Sequence, residues 1–395
     1  MQKFSTVIIG GGASGIAAAI SARRNGEDVV ICEKMQRLGK KILISGAGRC
    51  NISNEDLSEL HYNHEASGLV KSVFSRFDKE KIEKFFGDLG LKLYSQENRI
   101  FPVTNQAASV LKVLEEELKR LKIPIEFGFD VNHIADSAKG FIVKSKSGKT
   151  IFCGSIVITG GGKTYPGLGS DGSCYSLAES LGHKIIEPVP SAAPLLVKDR
   201  FCHFLQGQKI FCIARSVIDR EVKKEIKGEI LFTKYGLSGT AILDISEDIS
   251  IAINRLGKKL VQVSIDMAPF MDKNGLKREI ENRISRHFAA ENLMIGILPN
   301  KFSLVLKDLF KDKDSGQIVN AVKDKRFDVI GTRGWNEAEF TAGGVDTKDV
   351  KENTLESKLK KKVYFAGEIL DVNGERGGYN LAWAWASGFV AGLTE

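Results

Sequence analysis

"STVIIGGGASGIAAAISARRNGEDVVICEK", residues 5–34, is the stretch whose reading decides the fold. Residues 5–9 are a short apolar run of strand type. Residues 13–25 read as a helix that stops at Gly26, a favourable residue just past a helix end. "DVVICE" (28–33) is a second strand. Between the first strand and the helix lies Gly10-Gly11-Gly12-Ala13-Ser14-Gly15, a G-x-G-x-x-G in the strand–turn–helix setting that the motif requires. Gly10 permits the tight turn, Gly12 lets the backbone approach a pyrophosphate, and Gly15 lets the helix pack on the strand. The helix start supplies free N–H groups and the positive end of its dipole. Glu33 closes the second strand where an acid hydrogen-bonds a ribose hydroxyl. A dinucleotide site on Gly10, Gly12, Ala13, Ser14, Gly15 and Glu33 follows. Lys34, next in the chain, either flanks the adenine or is solvated.

The rest of the composition narrows the class. At 395 residues the chain is long enough for two or three domains and a sizeable core. Its 43% hydrophobic and 27% charged residues are ordinary for a globular protein. It has no run of about 18 apolar residues, so no membrane span is expected. The N-terminus lacks a signal-peptide layout. Six cysteines lie far apart without a CxxC pair, which argues for reduced thiols and a cytoplasmic location rather than disulfides or zinc. The histidines are equally dispersed, so no metal site is expected. His183, after Gly182, reads as a helix cap. The net charge of +8 is carried by lysine-rich stretches such as "EVKKEIKGE" (221–229). These are either solvated faces or a surface for a polyanion.

The fold class expected is α/β: a Rossmann-like nucleotide-binding domain built from both chain ends, with an inserted domain. Residues 65–89 and 105–121 read as helices, and 123–159 as a β-meander leading back to a parallel sheet. The prolines of "EPVPSAAPLLV" (187–197) mark a boundary. The expected division is 1–190, an insert at 191–329 that is β-rich over 191–268 and helical over 269–329, and 330–395 completing the first domain.

Several stretches are more specific: "GKKILISGAGRCNISN" (39–54), "TGGGKTYPGLGSDG" (159–172), "GEILFTKYGLSG" (228–239), "TAGGVD" (341–346), "TLESK" (354–358) and "YFAGEILDVNGERGGYNLAWAWASG" (364–388). With "GGGASG" they make the whole chain resemble the BaiN-like (YhiN-like) flavoproteins, which include aminoacetone-oxidase-like enzymes. The resemblance implies FAD on a two-dinucleotide-type fold with an inserted β-rich domain and a smaller helical part. One departure touches the insert: Thr240 follows Gly239 where the family reads glycine-proline.

The resemblance also implies where FAD would lie. The backbone of Val131 would touch the adenine. Loop 39–54 would wrap the middle of the cofactor, with Lys40 or Lys41 neutralising pyrophosphate and Ser45 and Gly46 offering donors. Arg49, Cys50 and Asn51 would sit near the flavin; for Arg49 the alternative is a structural ion pair. Cys50 is either a small packing residue or a proton donor opposite a hydride. Thr159, Gly160 and Gly161 would turn the chain beneath the cofactor. They read less well as a second nucleotide motif, because "KTYPGLG" follows and no acid-ended strand does. Tyr165 and Pro166 would shape the active-site wall. Gly343 and Gly344 would allow close approach to one ring edge. Gly367 and Glu368 would reach the ribityl chain, with Asp371 the alternative acid. Gly377 and Gly378 would let the helix that begins with Tyr379, Asn380 and Leu381 aim its N–H groups at the flavin. Trp383, Trp385 and Phe389 read as core.

The function expected is an FAD-dependent oxidoreductase, with NAD(P)H as a transient electron donor in the active-site cleft. Family members are associated with amine oxidation, with reduction of activated carbon–carbon double bonds, and with reduction of uridine in ribosomal RNA. The basic charge sets the RNA substrate level with a small-molecule one, ahead of amine oxidation. The competing class is an RNA- or assembly-binding flavoprotein with structural FAD. A simple NAD-linked dehydrogenase is a third class.

Overall fold

Central strands should be apolar where both their faces are covered, as Val29–Glu33 is until its closing acid and as the first strand is only over its second half. The computed structural model describes residues 1–307, 310–312 and 314–393. The first strand, β1 (Gln2–Ile9), buries its last four residues completely or nearly so. It lies parallel to β2 (Val29–Glu33) on one side and to strand Thr150–Ile158 on the other, with Ile9 level with Cys32 and with Ile158. Ile125–Phe127 adds a further parallel strand beyond β2. The far edge of Thr150–Ile158 is shared. Its first half pairs antiparallel with Gly140–Ser145, which leads to Val131–Ser137, and its last three residues pair parallel with Val363–Phe365. The chain's two ends therefore meet on one strand, at the end of the sheet from which the glycine loop emerges.

Helix α1 (Ala13–Arg24) packs on the closing helix Tyr379–Ala391. Two small residues permit the contact. A Cβ on Gly388 would come within 2.2 Å of the Ser14 carbonyl oxygen, and one on Gly392 within 2.3 Å of that of Ala18. The closing helix is apolar around its circumference and is buried accordingly, with Trp383 and Trp385 at 1% and 0% exposure. Among the described residues no helix is long and apolar enough to cross a membrane.

The chain divides into two compact units: Met1–Pro188 with Phe340–Glu395, and Val189–Glu339. The second unit is a closed barrel of six strands. In spatial order they are Leu195–Val197, Gly236–Ser238, Glu221–Thr233, Lys209–Ile218, Val261–Asp266 and Lys325–Thr332, which pairs back to the first. Helix Thr240–Ser250 interrupts the β-rich stretch, and the mostly helical stretch from Lys273 to Lys323 ends in the last barrel strand. An aromatic cluster of Phe201, Phe232, Phe302 and Phe327 fills this unit's core. All six cysteines are buried, free thiols.

Candidate cofactor and active site

The glycine loop has the geometry of a phosphate cradle. A Cβ on Gly15 would lie 1.9 Å from the Gly10 carbonyl oxygen, so the helix start can sit on the turn only without a side chain. Over Gly12 no protein atom lies within 4 Å of the Cβ position. Helix α1 carries no side-chain cap and no acid in its first turn, so its leading N–H groups are available. Thr159 ties the neighbouring strand end to this loop, its hydroxyl donating to the Gly10 and Ile9 carbonyls at 2.8 and 2.9 Å.

Glu33 braces the same loop. Its two carboxylate oxygens accept from the Gly11 and Met35 N–H groups at 2.6 and 2.7 Å. A carboxylate has about four lone-pair sites, so a ribose hydroxyl can still be accepted. Lys34 is paired with Asp171 at 2.6 Å and with the Ser173 hydroxyl at 3.1 Å. Partial burial pushes Asp171 up, but Lys34 and Ser173 outweigh it and hold the carboxyl at about 2. Val131 opens its strand with its side chain in the core. Gly160 and Gly161 are glycines for internal reasons: Cβ atoms there would meet the Cys174 sulfur at 2.1 Å and the Ser170 hydroxyl at 3.0 Å.

Loop 39–54 folds as a short helix, Lys40–Ile44, and then a tight run in which Gly46, Ala47, Gly48 and Cys50 all have positive φ. Such backbone is costly outside glycine and concentrates at functional sites. The Ser45 hydroxyl donates back to the Ile42 carbonyl at 2.7 Å. Lys40 donates to the Gly167 carbonyl at 3.4 Å. Lys41 forms an ion pair with Glu368 at 2.6 Å and donates to Thr164 at 2.9 Å. The other Glu368 oxygen accepts the Thr341 N–H at 2.8 Å. The structure thus joins two residues expected at different parts of the cofactor. Arg49 stacks its guanidinium over Phe101, 4.3 Å from the ring centroid. Burial pushes the Cys50 thiol up to about 12, against a smaller opposing effect of Ser45.

The segment after Cys50 lies against the start of the closing helix. A Cβ on Gly378 would stand 2.3 Å from the Ser53 carbonyl oxygen and 2.8 Å from Asn51 Oδ1. Asn51 Oδ1 and Ser53 Oγ are both buried without a hydrogen-bond partner. Asn54 donates to the Gly377 carbonyl at 3.0 Å. Asn380 brackets the preceding loop, accepting from the Gly374 N–H at 3.0 Å and donating to its carbonyl at 2.7 Å. The helix start has neither a side-chain cap nor an acid in its first turn. Leu381 is half-buried against the core. Gly367 is held from within the same helix, by the Ser387 hydroxyl accepting its N–H at 2.9 Å and by Trp383 donating to its carbonyl at 3.2 Å. Asp371 accepts the Gly343 N–H at 2.9 Å. Neighbouring Gly344 packs on the Ile369 carbonyl oxygen, 2.6 Å from its Cβ position.

Sequence reasoning missed four of these residues. Ser53 is one of several small polar residues in the 39–54 loop, and nothing in its spacing marks it out. Thr164 and Thr341 carry no signal of their own. His61, one of six dispersed histidines, bridges Asp56 at 2.9 Å and Glu375 at 3.1 Å and stacks on Tyr379 at 4.4 Å.

Two uncapped helix starts, open space over Gly12 and orphaned polar atoms on Asn51 and Ser53 fit an elongated anionic cofactor with a polar ring edge, as FAD is. The α/β fold and this site define an FAD-dependent oxidoreductase. The sequence matches the model of the HI0933-like protein Rossmann domain over residues 4–394, and the chain belongs to that family. It is 36% identical to the 3-dehydro-bile acid delta(4,6)-reductase of Clostridium scindens, over 98% of this chain and 97% of that one. It is 28% identical to the ribosomal RNA dihydrouridine synthase of Escherichia coli, over 99% and 97%. Among solved structures it shares the fold of the 3-ketosteroid delta1-dehydrogenase from Sterolibacterium denitrificans. That match has a TM-score of 0.51 at 12% identity and covers 99% of each chain.

Proposed function

We propose that the enzyme reduces a carbon–carbon double bond conjugated to a carbonyl, using NAD(P)H as electron donor. The observation that carries this reading is the 36% identity, over 98% of this chain, to a delta(4,6)-reductase. Saturation of a double bond needs a proton source as well as a hydride. Cys50, on the strained loop that meets the start of the closing helix, is assigned that role; burial keeps its thiol protonated at neutral pH and also makes it a weaker acid. Bound, reduced FAD would supply hydride chemistry to one alkene carbon. The adjacent carbon then becomes a carbanion stabilised by the carbonyl. Its new C–H bond forms as the Cys50 S–H bond breaks, and water reprotonates the thiolate. Asn51 and Ser53 would bind polar atoms of the cofactor or of the substrate carbonyl, since both have hydrogen-bonding capacity unused by the protein. Both named relatives support the chemistry: a delta(4,6)-reductase acting on a 3-dehydro (oxo) steroid, and an enzyme that makes dihydrouridine.

Uridine in ribosomal RNA is a second reading of the substrate. It is supported by the barrel unit, whose residues 189–339 hold 25 lysines and arginines against 20 acids.

The test is anaerobic reoxidation of the NAD(P)H-reduced holoenzyme by small enones and 3-oxo-Δ4 steroids, alongside nucleoside mass spectrometry of ribosomal RNA with and without the gene. Reoxidation by enones, with a loss of about 100-fold in Cys50→Ala, supports the reading. Full turnover in Cys50→Ala removes the proton assignment. Reduction of the flavin by amines, with no enone turnover, removes the reductase.

A further inference from the structure

Outside the nucleotide-binding unit, the barrel carries a groove of about 280 Å³ that the reaction above does not use. Phe211, Phe270, Lys209, Lys227, Pro269 and Pro299 are among the residues that line it. Phe211 sits on the outward face of strand Lys209–Ile218 and is 59% exposed; Phe270, on the loop after Val261–Asp266, is 66% exposed. Single exposed apolar residues are ordinary, but Phe211 and Phe270 line one groove, and it is a shared apolar patch that marks a binding surface. Lys227 stands over the Phe211 ring, 5.7 Å from its centroid, and Lys209 pairs with Glu229 at 2.9 Å.

The Phe270 loop is held firmly from below. The buried Lys323 ammonium donates to the Ala268 and Met271 carbonyls at 2.9 and 2.6 Å and pairs with Asp266 at 2.6 Å. Phe270 is thus an exposed ring on an anchored loop, which costs little further ordering on binding.

We propose that this groove docks single-stranded RNA, with unpaired bases stacking on Phe211 and Phe270 and the backbone phosphates meeting Lys227 and Lys209. The inference rests on the reading of RNA as a substrate and names the surface that would hold it. Two features decide the occupant. Lysine is depleted at the centre of protein–protein interfaces, yet two lysines line this groove. Exposed aromatic rings beside cations are what sequence-tolerant binding of single strands uses, whereas duplexed bases offer no face to stack on.

The test uses the holoenzyme and a fluorescently labelled twelve-nucleotide oligouridylate RNA, followed by fluorescence anisotropy at two salt concentrations. The double variant Phe211→Ala/Phe270→Ala should weaken binding about 10-fold or more. Lys227→Gln should weaken it several-fold and lower the salt slope by about one. Lys112→Gln, on the exposed face of helix Ala107–Arg120, should change neither. Photocrosslinking with 4-thiouridine RNA should label peptides containing Phe211 or Phe270. The proposal is overturned if the folded wild type does not bind at low salt, if the double variant binds like wild type, or if crosslinks map elsewhere. Capture of an apolar peptide in place of RNA would also overturn it. Dihydrouridine in cellular RNA reports on the substrate reading separately: its absence alongside groove-dependent binding would remove RNA as the substrate and leave the docking surface standing. Reoxidation of the holoenzyme by small enones should be the same in the double variant and the wild type.

Discussion

A Cβ built on Gly378 would stand 2.3 Å from the carbonyl oxygen of Ser53, and Gly378 has a φ of +109°. The two facts are independent reasons for glycine at the start of the closing helix: one is steric, the other conformational. From the sequence, Gly377 and Gly378 read as letting the helix aim its N–H groups at the flavin; the protein's own backbone already excludes a side chain at Gly378.

Gly378→Ala should therefore push Ser53 and Asn51 away from the helix start. The left-handed φ alone costs about 1–3 kcal/mol for a residue with a Cβ, and the clash adds to it. The expected outcome is a lowered melting temperature and at least a 10-fold weaker hold on FAD, read as flavin released on dilution. Gly377→Ala shares the backbone cost, its φ being +146°, but should be milder in its contacts, because its nearest neighbour is the Tyr379 ring edge at 3.1 Å, which can move. A Gly378→Ala protein with wild-type melting and wild-type flavin retention would refute the packing account.

The fold was readable because its signals are local. The glycine loop, β1, α1 and β2 lie within about thirty residues, and the all-apolar closing helix announces its own burial. The candidate site was readable only in part. Lys41 and Glu368 each carried the right charge for a cofactor role, yet the structure pairs them at 2.6 Å across 327 residues of sequence. Spacing cannot show such a contact, since it depends on how loop 39–54 returns to the strand end at Phe365. Lys34 was ambiguous for the same reason, its partner Asp171 lying 137 residues away. His61 gave no signal at all. A histidine becomes informative only once its neighbours are known, and Asp56 and Glu375 meet it from opposite ends of the chain. Helix Thr240–Ser250 lies inside the stretch whose sequence reads as β-rich, because its isoleucines suit either state.

The His61 bridge predicts a pH dependence. Burial alone would lower this imidazole, but hydrogen bonds from Asp56 and Glu375 outweigh it and raise it above its ordinary 6.5. A group raised in the folded state contributes its full stabilisation below the unfolded value and loses it as pH rises through the folded one. Tyr379, stacked on His61, is itself pushed up to about 12 by burial and stays neutral throughout. Comparing His61→Gln with wild type should show a deficit of about 0.5–1 kcal/mol below pH 6.5 that shrinks in more alkaline buffer. Denaturant midpoints between pH 5.5 and 8.5 would measure it. A deficit that grows with pH would mean that His61 acts as a neutral ring.

The barrel unit rests on a buried pair whose two members are unequal to remove. Lys323 and Asp266 are 9% and 5% exposed, and the Lys323 ammonium has three oxygen partners. Lys323→Met leaves the Asp266 carboxylate buried without its cation, held among the described residues by the Ala268 N–H at 3.0 Å. Breaking such a pair from one side costs about 3–5 kcal/mol, whereas replacing both sides is often close to neutral. The expected result is a large loss of amide hydrogen-exchange protection across residues 261–271 in Lys323→Met and a partial return in Lys323→Met/Asp266→Asn. Hydrogen exchange is the appropriate measure because a chain of two units need not unfold in one step. Equal losses in the single and double variants would mean that the lysine acts through its carbonyl contacts to Ala268 and Met271, and that the charge pair contributes nothing.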